Sequence, residues 1–174
     1  ERCEVGTYSS TKGQQVCASC GELQTTQYSS ATSEEACVCL EGMYRTDAGG
    51  CVPCPEGMHC DRGSDVRNLP GREQSNGTCG LSTTCPFPRT LPEFMSLSDT
   101  PLRVYRCIDS DSCPGAREGV VSSCGVMRDE SAVACGLCED DAFLNRNGEC
   151  EKCGGGVDVL ILVLTVVAGV AVIS

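Results

Sequence analysis

The sequence predicts a small disulfide-rich fold: tandem cysteine-rich modules of short β-hairpins and irregular loops, followed by a C-terminal transmembrane helix. Three observations predict it. Cysteine supplies 17 of 174 residues, close to a tenth of the composition and well outside the usage of an ordinary cytosolic domain. With the cysteines set aside, only about a quarter of the first 156 positions are aliphatic, Met or aromatic. That is too little apolar burial to offset a conformational entropy of roughly 1–2 kcal/mol per residue, so this part must be cross-linked, metal-bound or unfolded. The third observation is a C-terminal run that is apolar on every face.

Charge and histidine content exclude other classes. Against 24 Asp and Glu stand 13 Lys and Arg, with no basic run and a formal net charge of −11. Such a chain lacks the electrostatic footprint of a nucleic-acid binder, and anionic lipid headgroups repel its surface. His59 is the sole imidazole, in the tight loop Cys54-Pro-Glu-Gly-Met-His-Cys60. Nucleophile–base pairs need a partner within reach, so the chain is read as a non-enzyme with no catalytic residue.

Residues 1–60 are predicted as the first module. The start, Glu1-Arg-Cys3, has neither an initiator Met nor a signal-peptide pattern and reads as a processed end or a fragment edge. The odd cysteine count points the same way, since one partner can lie outside the chain. Inside the module, Cys39 to Cys54 reads C-x11-C-x2-C, and the same frame returns at Cys138 to Cys153. Tyr44 and Phe143 share one offset within it, and Gly49-Gly50 and Asn147-Gly148 precede the middle cysteine. Asn-Gly accepts positive φ at both central positions of a tight hairpin turn, and Gly-Gly does so at little steric cost. Each unit is thus a disulfide-closed hairpin packing one aromatic. Tyr8, Tyr28 and Tyr44 are read as module-core rings, because few other groups are present to pack. A second regularity, C-x5-C, occurs at Cys54/Cys60, Cys79/Cys85 and Cys107/Cys113.

Residues 61–106 carry few cysteines and collect Pro70, Pro86, Pro88, Pro92 and Pro101 without helical periodicity. They are predicted as an extended connector from which Leu91, Phe94, Met95, Leu97, Leu102, Val104 and Tyr105 can pack on a neighbouring module. Residues 107–153 form the second module, and a glycine hinge leads to the membrane segment, 157–174. From Val159 onward 16 residues carry no charge; as a helix they reach about 24 Å against a hydrocarbon core of roughly 30 Å. The segment therefore reads as a transmembrane helix cut short. A glycosylphosphatidylinositol-attachment signal fits less well, because it needs a polar spacer of roughly 8–12 residues before the apolar tail. Gly154–Gly156 lies too close to the tail, and cleavage at Asn147-Gly148 would discard Cys150 and Cys153.

Four C-x2-C pairs, Cys17/Cys20, Cys51/Cys54, Cys135/Cys138 and Cys150/Cys153, raise a zinc alternative. The last two have the spacing of a four-thiolate site, which would make this an intracellular zinc module beside a membrane. Even if all eight cysteines of the four pairs held metal, nine others would have no role in a reducing compartment. Asn76-Gly77-Thr78 is an N-glycosylation sequon, and Glu149, Glu151 and Asp158 against Lys152 give no positive-inside excess. Oxidised extracellular disulfides account for more, each loop contributing roughly 2–4 kcal/mol. Asp109, Asp111, Asp140, Asp141, Asn145 and Asn147 do not follow the ligand alternation of a helix–loop–helix calcium loop and read as solvated turn residues. The reading is no cofactor, with room only for weak calcium binding.

Cys3-Glu-Val-Gly-Thr-Tyr-Ser9, Gly13 and Cys17-Ala-Ser-Cys20 continue through Thr25, Tyr28-Ser-Ser30, Ser33, Cys37-Val-Cys39, Gly42-Met-Tyr44 and Cys51-Val-Pro-Cys54. Over this first third the chain resembles the ephrin-receptor-like cysteine-rich module, a relative of epidermal-growth-factor-like and tumour-necrosis-factor-receptor-like repeats. The second module is similar, more loosely, to laminin and growth-factor hairpin repeats. Where the family places Gly before the aromatic, as at Gly42, this copy has Asp141, a residue able to adopt a left-handed conformation. The resemblance implies the pairs Cys3–Cys17, Cys20–Cys37 and Cys39–Cys51, then Cys124–Cys135 and Cys138–Cys150. It leaves Cys54, Cys60, Cys79, Cys85, Cys107 and Cys113 unassigned and makes Cys153 the unpaired candidate.

The Cys107 to Cys113-Pro-Gly stretch, with the membrane segment directly after the last cysteines, resembles large protist surface proteins that carry such repeats outside a multi-pass membrane region. What the resemblance implies is recognition of an extracellular protein partner, or spacing, at a cell membrane. The leading expectation is the extracellular region of a membrane-anchored surface protein, receptor-like or a rigid stalk. The extracellular part of a multi-pass channel or transporter-like protein is the alternative.

Overall fold

With prolines, glycines and cysteines this frequent, no described segment sustains a long regular element, and strand pairing among the described residues is confined to short ribbons. The computed structural model describes residues 2–11, 13, 16–70, 85–117 and 119–154. Among them, twelve strands pair antiparallel as six two-stranded ribbons, joined by single 3-10 turns. No helix of the described residues is long and apolar enough to cross a membrane, and the expected membrane segment 157–174 lies outside them.

The first ribbon pairs β1 (Thr7–Tyr8) with β2 (Ala18–Ser19), and the second pairs β3 (Gln24–Thr26) with β4 (Cys37–Cys39). Gly6, at φ +91°, turns its N–H onto the buried Thr26 hydroxyl at 3.0 Å and so locks one ribbon to the next. β5 (Met43–Arg45) pairs with β6 (Cys51–Pro53) in the register Tyr44↔Val52. The segment after β6 turns back on it. Gly42 N donates to Cys60 O at 2.9 Å, Arg45 N donates to Ser64 O at 2.8 Å, and Arg45 forms a parallel bridge with Asp65. Asp65 is buried and receives a forked hydrogen bond from Arg67, with Arg45 Nε 3.9 Å away.

β7 (Met58–His59) reaches forward to β8 (Arg89–Thr90), joining the first module to the proline-rich stretch. That stretch holds more structure than a bare connector. β9 (Phe94–Leu97) and β10 (Thr100–Arg106) form a bulged hairpin, and its Met95 is buried against Cys107, Cys113, Cys124 and Cys135. The core of the second half is thus one methionine on four cysteine sulfurs, with Leu97, Tyr105 and Ala134 at its edge. Ala134 and Cys135 both take positive φ, +56° and +50°, and Arg128 Nη1 donates to Cys135 O at 2.8 Å across that kink.

The last ribbon, β11 (Ala142–Leu144) with β12 (Cys150–Lys152), repeats β5–β6 residue for residue in register, Phe143↔Glu151 standing for Tyr44↔Val52. The turns agree as well: Thr46 N to Gly50 O and Gly49 N to Thr46 O match Asn145 N to Glu149 O and Gly148 N to Asn145 O. Only Gly49 and Gly148 are at positive φ, +89° and +85°, so the connection is a three-residue loop with one left-handed glycine. This corrects the expected two-residue turn with two left-handed positions. Asp141 also departs from expectation: it is not at positive φ, whereas Gly42 is at +78°.

Candidate functional site

In the structure the bonded pairs run in chain order: Cys3–Cys17, Cys20–Cys37, Cys39–Cys51, Cys54–Cys60, Cys107–Cys113, Cys124–Cys135 and Cys138–Cys150. None encloses another, so each staples a loop of 6 to 17 residues' separation beside the last. Cys85 is also disulfide-bonded. The sequon at Asn76, with Cys79, lies outside the described residues.

This arrangement gives the C-x2-C pairs a meaning other than zinc. In Cys17/Cys20, Cys51/Cys54 and Cys135/Cys138 the two cysteines belong to successive disulfides, so the pair is the joint between two staples. Sulfurs so bonded offer no thiolates, and a knuckle through Cys135, Cys138 and Cys150 does not fit. The Cys107, Cys113 and Cys135 sulfurs lie within 4.8 Å of one another, but as parts of two adjoining disulfides in the core. Cys153 is free and exposed. Non-reduced native protein is expected to show one thiol reactive toward Ellman's reagent, at Cys153; several reactive thiols would refute the staple scheme.

The remaining candidates are engaged in local structure. Asp109 Oδ1 accepts from Ser112 N at 2.7 Å, and these Ser112 hydrogen bonds hold its carboxyl below the usual range. Asn145 Oδ1 accepts from Asn147 N and Glu149 N at 2.9 and 3.0 Å, shaping the second hairpin loop. Asp141 faces Lys152 at 3.9 Å, and Asp111 and Asp140 are exposed. His59 Nε2 sits 2.9 Å from Asp61 Oδ1, and Arg89 donates to the other oxygen at 2.6 Å. That network ties β7 to β8. Tyr8 and Tyr44 are half-buried, whereas Tyr28 is 58 % exposed, a correction to its core assignment. The chain leaves β3 just before it, and Thr25 and Thr26 already fill the inward positions.

Two surfaces were not legible in the sequence. A groove of about 380 Å³ opens beside β9, walled by Leu97, Pro101 and Val121, where Ser96 N donates to Ser122 Oγ at 3.1 Å. The other is the second hairpin, where Phe143 and Leu144 are 48 % and 55 % exposed, a correction to the expectation that this hairpin packs its aromatic.

Consecutive small staples, with cysteines for much of the core, make the described residues a small disulfide-rich fold of short antiparallel hairpins. Residues 1–37 match the family described as tyrosine-protein kinase ephrin type A/B receptor-like. The match ends at Cys37, short of the resemblance read through Cys54, and covers the β1–β2 ribbon, β3 and the first residue of β4, with the disulfides Cys3–Cys17 and Cys20–Cys37. No curated protein and no solved structure matches the chain.

Proposed function

We propose that this chain is the extracellular, cysteine-rich region of a membrane-anchored cell-surface protein that binds a protein partner. The observation that carries the proposal is the ephrin-receptor-like match on residues 1–37 at the head of an unbroken series of local disulfides. Such bonds persist in oxidising compartments. In this reading residues 1–60 and 107–153 are the two modules, 61–106 joins them, Asn76 carries glycan, Cys153 is unpaired, and residues 157–174 enter the membrane.

Fluorescent full-length chain in lipid nanodiscs tests the partner claim on a panel of cells. Saturable binding that trypsin treatment of the cells abolishes is the expected result. Absence of saturable binding on every cell type would leave a rigid stalk and overturn partner recognition. Further apolar spans in the complete reading frame after Ser174 would instead favour the multi-pass alternative.

A further inference from the structure

β10 leaves its ladder with β9 over three residues. Thr100 pairs with Leu97 and Val104 with Ser96, so the residues from Pro101 to Arg103 oppose nothing on β9. One step on β9 against four on β10 bows β10 outward, and proline, which lacks an N–H, suits such a bulge. Pro101 lines the groove of about 380 Å³. The facing wall, residues 120–124, is fixed by hydrogen bonds to three other segments. Val121 O accepts from Thr90 N at 2.8 Å, Ser122 Oγ accepts from Ser96 N at 3.1 Å, and Ser123 Oγ donates to Gly115 O at 2.5 Å. Ligand sites are usually built in this way, with walls set before the ligand arrives.

The groove combines apolar walls, Leu97 and Val121 among them, with serine hydroxyls and one acid. Glu130 is the single formal charge among the described residues that line it. Its exposed carboxylate makes no hydrogen bond or ion pair; Arg103, the cation on the bulge, lies over the Tyr105 ring instead. Ser96 is 7 % exposed, and its Oγ is buried without a hydrogen-bond partner. A buried hydroxyl left unpaired destabilises the fold, and its presence calls for a reason.

We infer that this groove receives a lysine side chain of the partner protein. The inference rests on the partner-binding reading and names what that partner presents. The aliphatic stem lies against Leu97 and Val121, while the ammonium pairs with Glu130 and supplies the N–H that Ser96 Oγ lacks. One carboxylate with separate hydroxyl oxygens suits the three rotatable donors of an ammonium better than the planar fork of a guanidinium. A formal net charge of −11 already favours the approach of a basic partner; the groove sets where one of its charges lands.

The probes are N-acetyl-lysine N-methylamide and its norleucine counterpart, which keeps the stem and lacks the ammonium. Each is added to isotopically labelled full-length chain in nanodiscs. Amide shifts confined to Ser96, Leu97, Val121 and Ser122 are the expected response to the lysine probe, with affinity about tenfold above that of the norleucine probe. Glu130→Gln should weaken the lysine probe about fivefold, the upper value for an exposed ion pair, and leave the norleucine probe unchanged. Ser96→Ala should weaken the lysine probe without lowering the urea midpoint, because it removes an unpaired buried oxygen. Equal binding of the two probes overturns the inference, as do shifts spread over the acidic surface, or a Ser96→Ala variant that loses stability but no affinity. So does the absence of any shift, the result if another part of this chain fills the groove. Undiminished cell binding by Glu130→Gln, with no probe binding, would refute this site and leave the proposed function standing. Probe binding in the groove without cell binding would refute partner recognition alone.

Discussion

Replacing Cys124 and Cys135 together by serine is expected to unfold the second module. Opening the loop costs about 2–4 kcal/mol through the freedom regained by the unfolded chain, and each buried hydroxyl without a partner costs roughly a further 1–3 kcal/mol. Both cysteines are buried, Cys135 completely, and they sit with Cys107 and Cys113 under Met95. The sulfurs therefore act twice, as cross-link and as apolar core. Cys138→Ser with Cys150→Ser is the control, since that pair closes a loop of nearly the same length, 12 against 11 residues' separation, at half-buried positions. Circular dichroism melts under non-reducing conditions should show the control losing only the loop contribution. Equal losses in the two double variants would show that sulfur packing adds nothing.

The same dual role explains what the sequence disclosed. Cysteine spacing alone marks the hairpin frame from Cys39 to Cys54 and from Cys138 to Cys153, because a short loop closed by one bond admits few shapes. The ribbons β5–β6 and β11–β12 accordingly share a register. The turn type was not legible, since Gly50 and Asn147 look as suited to a left-handed position as Gly49 and Gly148, and only the closing hydrogen bonds decide. Met95 was legible as one of several apolar residues able to pack on a neighbouring module; that it alone is fully buried, against cysteines at positions 107 to 135, is a long-range outcome that local pattern does not reveal. Nor does the sequence show that residues 60–65 fold back along the outer edge of β5, a long-range event whose local trace is the pair Arg45 and Asp65.

Gly125→Ala is expected to destabilise the second module by at least about 3 kcal/mol, the upper end for overpacking a filled site. A methyl at Gly125 would collide with the carbonyl oxygen of Asp111 and lie 3.5 Å from that of Ser112. Neither is a side-chain tip that can swing away. Gly125 N donates to Ser112 O at 2.8 Å, and Ser112 N is held by Asp109 Oδ1, so the 109–113 turn is clamped onto residue 125 from both sides. Retreat would drag the buried Cys113, and with it the Cys107–Cys113 bond, away from Cys124 and Met95. Gly50→Ala is the contrast, because nothing lies within 4 Å of its added methyl and its φ is not positive; it should change stability by less than about 0.5 kcal/mol. Urea unfolding of the two variants decides the matter. If Gly125→Ala melts with Gly50→Ala, the 109–113 turn does not close on residue 125, and the second core is looser than the structure draws it.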